Sequence, residues 1–182
     1  MDPVTIANEA TLIYDNITKN SNAVVTRILS LYDLTATKEA LLDSYTPGQT
    51  ITYITRVENT GSASLYNLTI VDDLANGTLQ YIDTSIEGYL NGSPIEVDVQ
   101  KTANTVTFKI DNVLNPNDNV LIIFETTTPT TNPEQITNTQ TITANGGSTT
   151  GPIVAVTPNP STSVKLANYV TLDITKAVDK TS

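Results

Sequence analysis

Apolar and polar residues alternate one by one through most of this chain, and short clusters of Gly, Pro and Asn cut the alternation at close intervals. Thr50-Ile51-Thr52-Tyr53-Ile54-Thr55-Arg56-Val57 shows the pattern. A period of two is the side-chain repeat of a β-strand, whose successive residues point to opposite faces. Helical periodicity is nearly absent, and its best candidate, Lys38 to Asp43, is too short to hold a helix. The spacing predicts strands near 4–14, 17–28, 33–40, 49–58, 64–73, 79–87, 94–100, 104–111, 119–127, 135–144, 151–157 and 163–178. Turn signals separate them, among them Thr46-Pro47-Gly48, Asn59-Thr60-Gly61, Ala75-Asn76-Gly77, Asn115-Pro116-Asn117-Asp118 and Asn145-Gly146-Gly147. Asn91-Gly92 between Tyr89-Leu90 and Pro94-Ile95 predicts a tight hairpin. Leu121-Ile122-Ile123-Phe124 reads as a buried strand. Many short strands at this spacing predict an all-β sandwich or barrel.

Composition narrows the chemistry. The 182 residues include no Cys and no His, which removes disulfides, thiolate nucleophiles, the Ser-His-Asp triad and the usual zinc sites. A net charge of −10 argues against nucleic-acid partners and against an anionic membrane surface. Aromatic residues make up 5 %, Trp is absent and Met occurs once, so Val, Ile and Leu are expected to build the core. No segment has the roughly 18 apolar residues of a membrane-spanning helix. Met1-Asp2-Pro3-Val4 does not open a signal peptide, so the expectation is a removed leader or another route of export. No cofactor and no enzymatic activity are expected.

The chain also echoes itself. Ile6-Ala7-Asn8-Glu9-Ala10-Thr11 is similar to Ile136-Thr137-Asn138-Thr139-Gln140-Thr141, and Leu34-Thr35-Ala36-Thr37-Lys38 to Leu172-Asp173-Ile174-Thr175-Lys176. The expected division is therefore an N-terminal extension over 1–30 resembling the end of a preceding repeat, a complete sandwich over 31–145, and a linker with a C-terminal strand over 146–182 resembling the start of a next repeat.

Leu34-Thr35-Ala36-Thr37-Lys38, Tyr45-Thr46-Pro47-Gly48-Gln49-Thr50, Val57-Glu58-Asn59-Thr60-Gly61, Leu68-Thr69-Ile70-Val71-Asp72-Asp73-Leu74 and Ile136-Thr137-Asn138-Thr139 together resemble the bacterial surface-repeat module catalogued as domain of unknown function eleven. One departure is Asn115-Pro116-Asn117-Asp118, where the family usually has a Pro-Gly turn. The resemblance implies an immunoglobulin-like or prealbumin-like β-sandwich, with extra strands at both ends, on a bacterial outer layer. Asn8-Glu9-Ala10-Thr11-Leu12 is similar to the opening of leaderless members from spore-forming Firmicutes, which implies a spore surface or appendage, with the cell wall as the alternative.

Parity brings three residues to one interior. Lys38 shares a face with Leu34 and Ala36, Asp72 with Leu68 and Ile70, and Asn138 with Ile136 and Ile142. A buried Lys beside a carboxyl and an Asn carboxamide suits an autocatalytic isopeptide bond, with Lys38 as nucleophile, Asn138 as acceptor and Asp72 as proton shuttle. The layout resembles the collagen-adhesin type domains of Gram-positive pili. The bland alternative keeps Lys38 snorkelling at an edge, Asn138 at a bulge and Asp72 capping a turn with Asp73.

The same parity at the ends sets Leu172, Ile174 and Lys176 of one copy to pair with Asn8 and Leu12 of the next, giving head-to-tail strand complementation with itself as partner. The competing expectation is a stalk or adhesin module of a longer surface protein. Asp111, Asn117 and Asp118 form a weak calcium candidate, with a solvated turn preferred. The motifs beginning at Asn16, Asn67, Asn76 and Asn91 match the glycosylation pattern, as chance provides in a Thr- and Asn-rich chain.

Overall fold

A computed structural model describes residues 4–28, 31–131 and 133–167. The first four strands, β1 (Val4–Asn8), β2 (Thr11–Tyr14), β3 (Ile17–Asn20) and β4 (Val24–Ile28), form a ribbon in which β1 pairs with β4 and β2 with β3. Asp15 and Asn16 make its tip at φ 46° and 65°, a conformation their short polar side chains tolerate. The two long strands expected over 4–14 and 17–28 are therefore each divided. The break is stitched by Ser21 N–H donating to Ala10 O at 2.8 Å and by Ala10 N–H donating to Ser21 Oγ at 2.9 Å. Among the described residues the ribbon pairs with no strand of the body.

The body is the expected sandwich. It continues with β5 (Leu34–Ala40), β6 (Ser44–Tyr45), β7 (Thr50–Asn59), β8 (Leu65–Asp72), β9 (Gln80–Tyr81), β10 (Glu87–Leu90), β11 (Ser93–Ile95), β12 (Asp98–Lys101) and β13 (Val106–Ile110). It ends with β14 (Asn119–Thr127), β15 (Gln135–Gly146), β16 (Ile153–Ala155) and β17 (Ser161–Leu166). One sheet runs β11-β10-β14-β7-β5, with β9 also on β14. The other runs β12-β13-β8-β15-β17-β6, with β16 also on β15. The Asn91-Gly92 hairpin forms as its sequence predicts, at φ 50° and 81°.

The stretch expected as a linker after 145 departs from the reading. β16 and β17 hydrogen-bond to β15, so the sandwich extends to Leu166. The alternation Thr162, Val164, Leu166 gives β17 a face to bury, and Val164 is fully buried.

Burial follows the alternation. Ile51, Tyr53 and Val57 of β7 meet Leu68 and Ile70 of β8, Phe108 of β13, Ile122 and Phe124 of β14 and Ile142 of β15 between the sheets. In β14 only alternate members of the apolar run, Val120, Ile122 and Phe124, are fully inside. The few aromatics are concentrated rather than spread. Phe124 lies 5.0 Å from Phe108 and 5.5 Å from Tyr53 between ring centroids, and Tyr81 meets Phe108 edge-on at 5.9 Å. Phe108→Ala should therefore cost about 3–5 kcal/mol, seen as a lower urea midpoint at unchanged slope.

Candidate functional site

β5 is an edge strand of its sheet, and β8 and β15 are neighbours in the opposite sheet. Lys38 points from β5 across the core to Asp72, the last residue of β8, and Asn138 projects from β15 beside it. All three predicted residues are brought together, and the side chains of Lys38 and Asp72 are wholly inaccessible. Lys38 does not snorkel: its side chain is wholly inaccessible and its ammonium is paired with Asp72 inside the core.

Asp72 organises the cluster. Its Oδ2 accepts from Lys38 Nζ, from Gln140 Nε2 at 3.0 Å and from Asn138 Nδ2 at 3.3 Å. Its Oδ1 accepts from Leu74 N–H at 2.9 Å. The carboxyl thus pairs with Lys38 through one oxygen and caps a turn through the other, so the two roles weighed for it coincide. Thr55 Oγ1 donates to Gln140 Oε1 at 2.9 Å and fixes that side chain. Asn138 Oδ1 accepts from Ala75 N–H at 3.3 Å, which orients the carboxamide with Nδ2 toward Asp72. Asp73 Oδ1 accepts from Ala75 N–H at 2.9 Å and from Thr139 N–H at 3.1 Å, joining the turn to β15.

That turn carries local strain. Leu74, Ala75 and Asn76 stand at φ 47°, 53° and 57°, a region unfavourable for Leu and Ala, at about 1–3 kcal/mol each. The first two N–H groups of this turn, those of Leu74 and Ala75, donate to Asp72 and Asn138.

Burial drives the Lys38 pKa below its ordinary value, and the charges of Asp72 and Asp73 offset only part of that shift. The ammonium lies 4.8 Å from the Tyr53 ring centroid and 5.2 Å from that of Phe124. Burial, with the Asp72 charge adding to it, pushes the Tyr53 hydroxyl well above the ordinary phenol range. Among the described residues that buried hydroxyl has no hydrogen-bond partner, a state that costs about 1–3 kcal/mol.

Gln140, Thr55, Tyr53 and Phe124 are members of the site that the sequence reading missed. Parity alone reaches Gln140, which shares a face with Asn138, and places Tyr53 and Thr55 together on β7. Phe124 needs the β7–β14 register, in which it sits opposite Tyr53.

The other candidates fare differently. Asn8 and Leu12 lie exposed on the ribbon, while Leu172, Ile174 and Lys176 fall outside the described residues. Asp118 is occupied as a loop lock, its oxygens accepting from Asn91 Nδ2 at 2.7 Å and from Asn115 N–H at 2.7 Å. Asn117 supplies a left-handed turn position at φ 67°. Among the described residues no three acidic side chains converge, and Asp111 does not join Asp118 in such a group.

No protein-family model matches the chain, and no curated protein matches it in sequence. Solved structures match its fold. The full-length major pilin SpaD from Corynebacterium diphtheriae superposes with a TM-score of 0.58 at 14 % identity, over 72 % of this chain and 34 % of that one. The N-terminal domain of the Streptococcus gordonii adhesin Sgo0707 gives 0.54 at 17 % identity, over 82 % and 38 %. BcpA, the major pilin subunit of Bacillus cereus, gives 0.51 at 12 % identity, over 87 % and 47 %. The chain spans about a third to a half of these proteins' lengths. The likeness establishes a β-sandwich fold shared with Gram-positive pilin and adhesin domains.

The buried pair makes two expectations. With Asn138→Ala as background, so that no crosslink can form, Asp72→Ala should lower stability by about 3–5 kcal/mol, because a buried ammonium loses its counter-ion. Lys38→Met should cost less, since Asp72 keeps its N–H donors. Denaturant midpoints give the order. The second concerns pH. A folded-state lysine pKa held below 10.5 means that unfolding takes up a proton between the two values. As pH rises toward 10.5, the stability difference between the Lys38 and Lys38→Met chains should therefore shift in favour of Lys38.

Proposed function

We propose that this chain is a structural subunit of an extracellular bacterial filament or spore-surface appendage, reinforced by a Lys38–Asn138 isopeptide bond. The observation that carries the proposal is the sealed cluster in which Asp72 Oδ2 touches both the Lys38 amine and the Asn138 carboxamide nitrogen. Lys38 gives one proton to Asp72, and the neutral Nζ attacks Cγ of Asn138. The Nζ–Cγ bond forms, the Cγ–Nδ2 bond breaks, a second Nζ proton reaches Nδ2 by way of Asp72, and ammonia leaves. Proximity supplies the rate, since the fold holds both reactants against one oxygen of Asp72 in a buried site.

Assembly is proposed through the ends. Leu12, Ile13 and Tyr14 on the ribbon are 66 %, 71 % and 72 % exposed, and apolar strand surface of this kind invites another strand. The tail segment with Leu172, Ile174 and Lys176 has the alternation to supply it from a second copy, making a head-to-tail, non-closing contact. The fold likeness to pilin domains supports this reading. The likeness to an adhesin domain favours the second reading, a stalk module of a longer surface protein.

Intact mass tests the bond: the purified chain should weigh about 17 Da less than its sequence, and Lys38→Met, Asn138→Ala and Asp72→Ala should each restore the full mass. An unchanged parent mass discards the bond. Negative-stain microscopy tests the assembly. The purified chain should form filaments, and removal of residues 1–30 should abolish them; a parent that stays monomeric favours the stalk.

A further inference from the structure

Tyr53 brings an unused hydrogen-bond donor to the cluster. It lies on β7, its ring stacks on Phe124 and passes beneath the Lys38 ammonium, and its hydroxyl is buried without a partner among the described residues. The Asn138 side chain lies beside that oxygen without forming a hydrogen bond to it. Ala75 N–H engages Oδ1 on the other side of the carboxamide, and Nδ2 leans on Asp72 Oδ2. In the ground state the Asn138 nitrogen is planar, its lone pair delocalised into the carbonyl, so it accepts nothing from the phenol.

The situation changes when the amine adds. A tetrahedral Cγ no longer conjugates with Nδ2, and the nitrogen becomes pyramidal with a free lone pair. A group left idle in the ground state then gains a partner, and an interaction made only beyond the ground state accelerates the step. We propose that Tyr53 is a catalytic residue of the bond-forming step, its hydroxyl donating to the departing nitrogen of Asn138 once Lys38 has added. The assignment rests on the Lys38–Asn138 reading. The tyrosine keeps its proton throughout: Nζ–Cγ forms, Asp72 carries the proton from Nζ to Nδ2, Cγ–Nδ2 breaks and ammonia leaves. Burial that holds the phenol protonated keeps the donor available at every ordinary pH.

Tyr53→Phe deletes the hydroxyl and nothing else. The full chain is made by cell-free synthesis, samples are quenched at intervals, and loss of ammonia is followed by intact mass. Tyr53→Phe should slow the loss about 100-fold, the size of effect seen when one preorganised donor is removed from a reacting centre. Stability is compared in the Lys38→Met background, where no bond forms. There Tyr53→Phe should leave the Tm unchanged or raise it, because an unsatisfied buried hydroxyl is gone. A rate within about threefold of the parent overturns the assignment. A slower rate accompanied by a lower Tm, or loss of the fold in the Lys38→Met background, makes Tyr53 a packing residue and overturns it equally. A parent that never loses ammonia removes the Lys38–Asn138 bond itself, and the role of Tyr53 with it.

Discussion

The contact between Lys38 and Asp72 is the constraint around which the two sheets are arranged. An ammonium in an apolar interior is tolerated only with its counter-charge in hand, and here the two groups come from opposite sheets. β5 is held along one side by β7 alone. A one-residue slip along β7 would turn Lys38 to the outer face, and a two-residue slip would carry it about 7 Å from Asp72. Either slip strands a buried carboxylate. The pair adds little net stability, since desolvation offsets most of the attraction, but it selects one register of β5 and one facing of the sheets.

The same carboxylate explains the turn that follows β8. Asp72 Oδ1 and Asp73 Oδ1 hold the N–H groups of Leu74 and Ala75 where the chain enters a left-handed path through Leu74, Ala75 and Asn76. Gly is the usual residue for such a path, yet Leu74 is buried against the core and Ala75 sits beside Asn138, so side-chain packing competes with backbone preference here. The local penalty is offset by interactions across the site. Rules of local sequence are most often broken where several elements over-determine one position.

This separates what was legible from what was not. Period-two alternation survives any tertiary context in which one face is buried, so β5, β7, β8, β14 and β15 could be read directly, and with them the inward facing of Lys38, Asp72 and Asn138. The division of residues 4–14 and 17–28 was not legible, because alternation continues across Glu9-Ala10 while the pairing shifts register there. The left-handed turn at Leu74 was hidden for the opposite reason: Ala75-Asn76-Gly77 announced a turn but not its hand. The relation of Tyr53 and Phe124 to Lys38 was not legible, since it depends on which strand of one sheet lies over which of the other. The placement of β17 was lost to the repeat argument, which set a boundary at 145 where the sheet continues.

The position of Lys38 also bears on how force would cross the proposed subunit. Tension arriving through the N-terminal ribbon enters the sandwich at Leu34, at the head of an edge strand whose ladder to β7 would open one hydrogen bond at a time. A covalent link at Lys38 intercepts that load four residues in and passes it across the core to Asn138 on β15, a strand flanked on both sides by β8 and β17. The residues between 38 and 138, which hold most of the aromatic core, would then lie outside the load path. In the proposed reaction ammonia would leave as a neutral molecule and Asp72 would retain the proton taken from Lys38, so both charges would be removed from the interior. In that reaction the ion pair that selects the register would be consumed in making that register permanent.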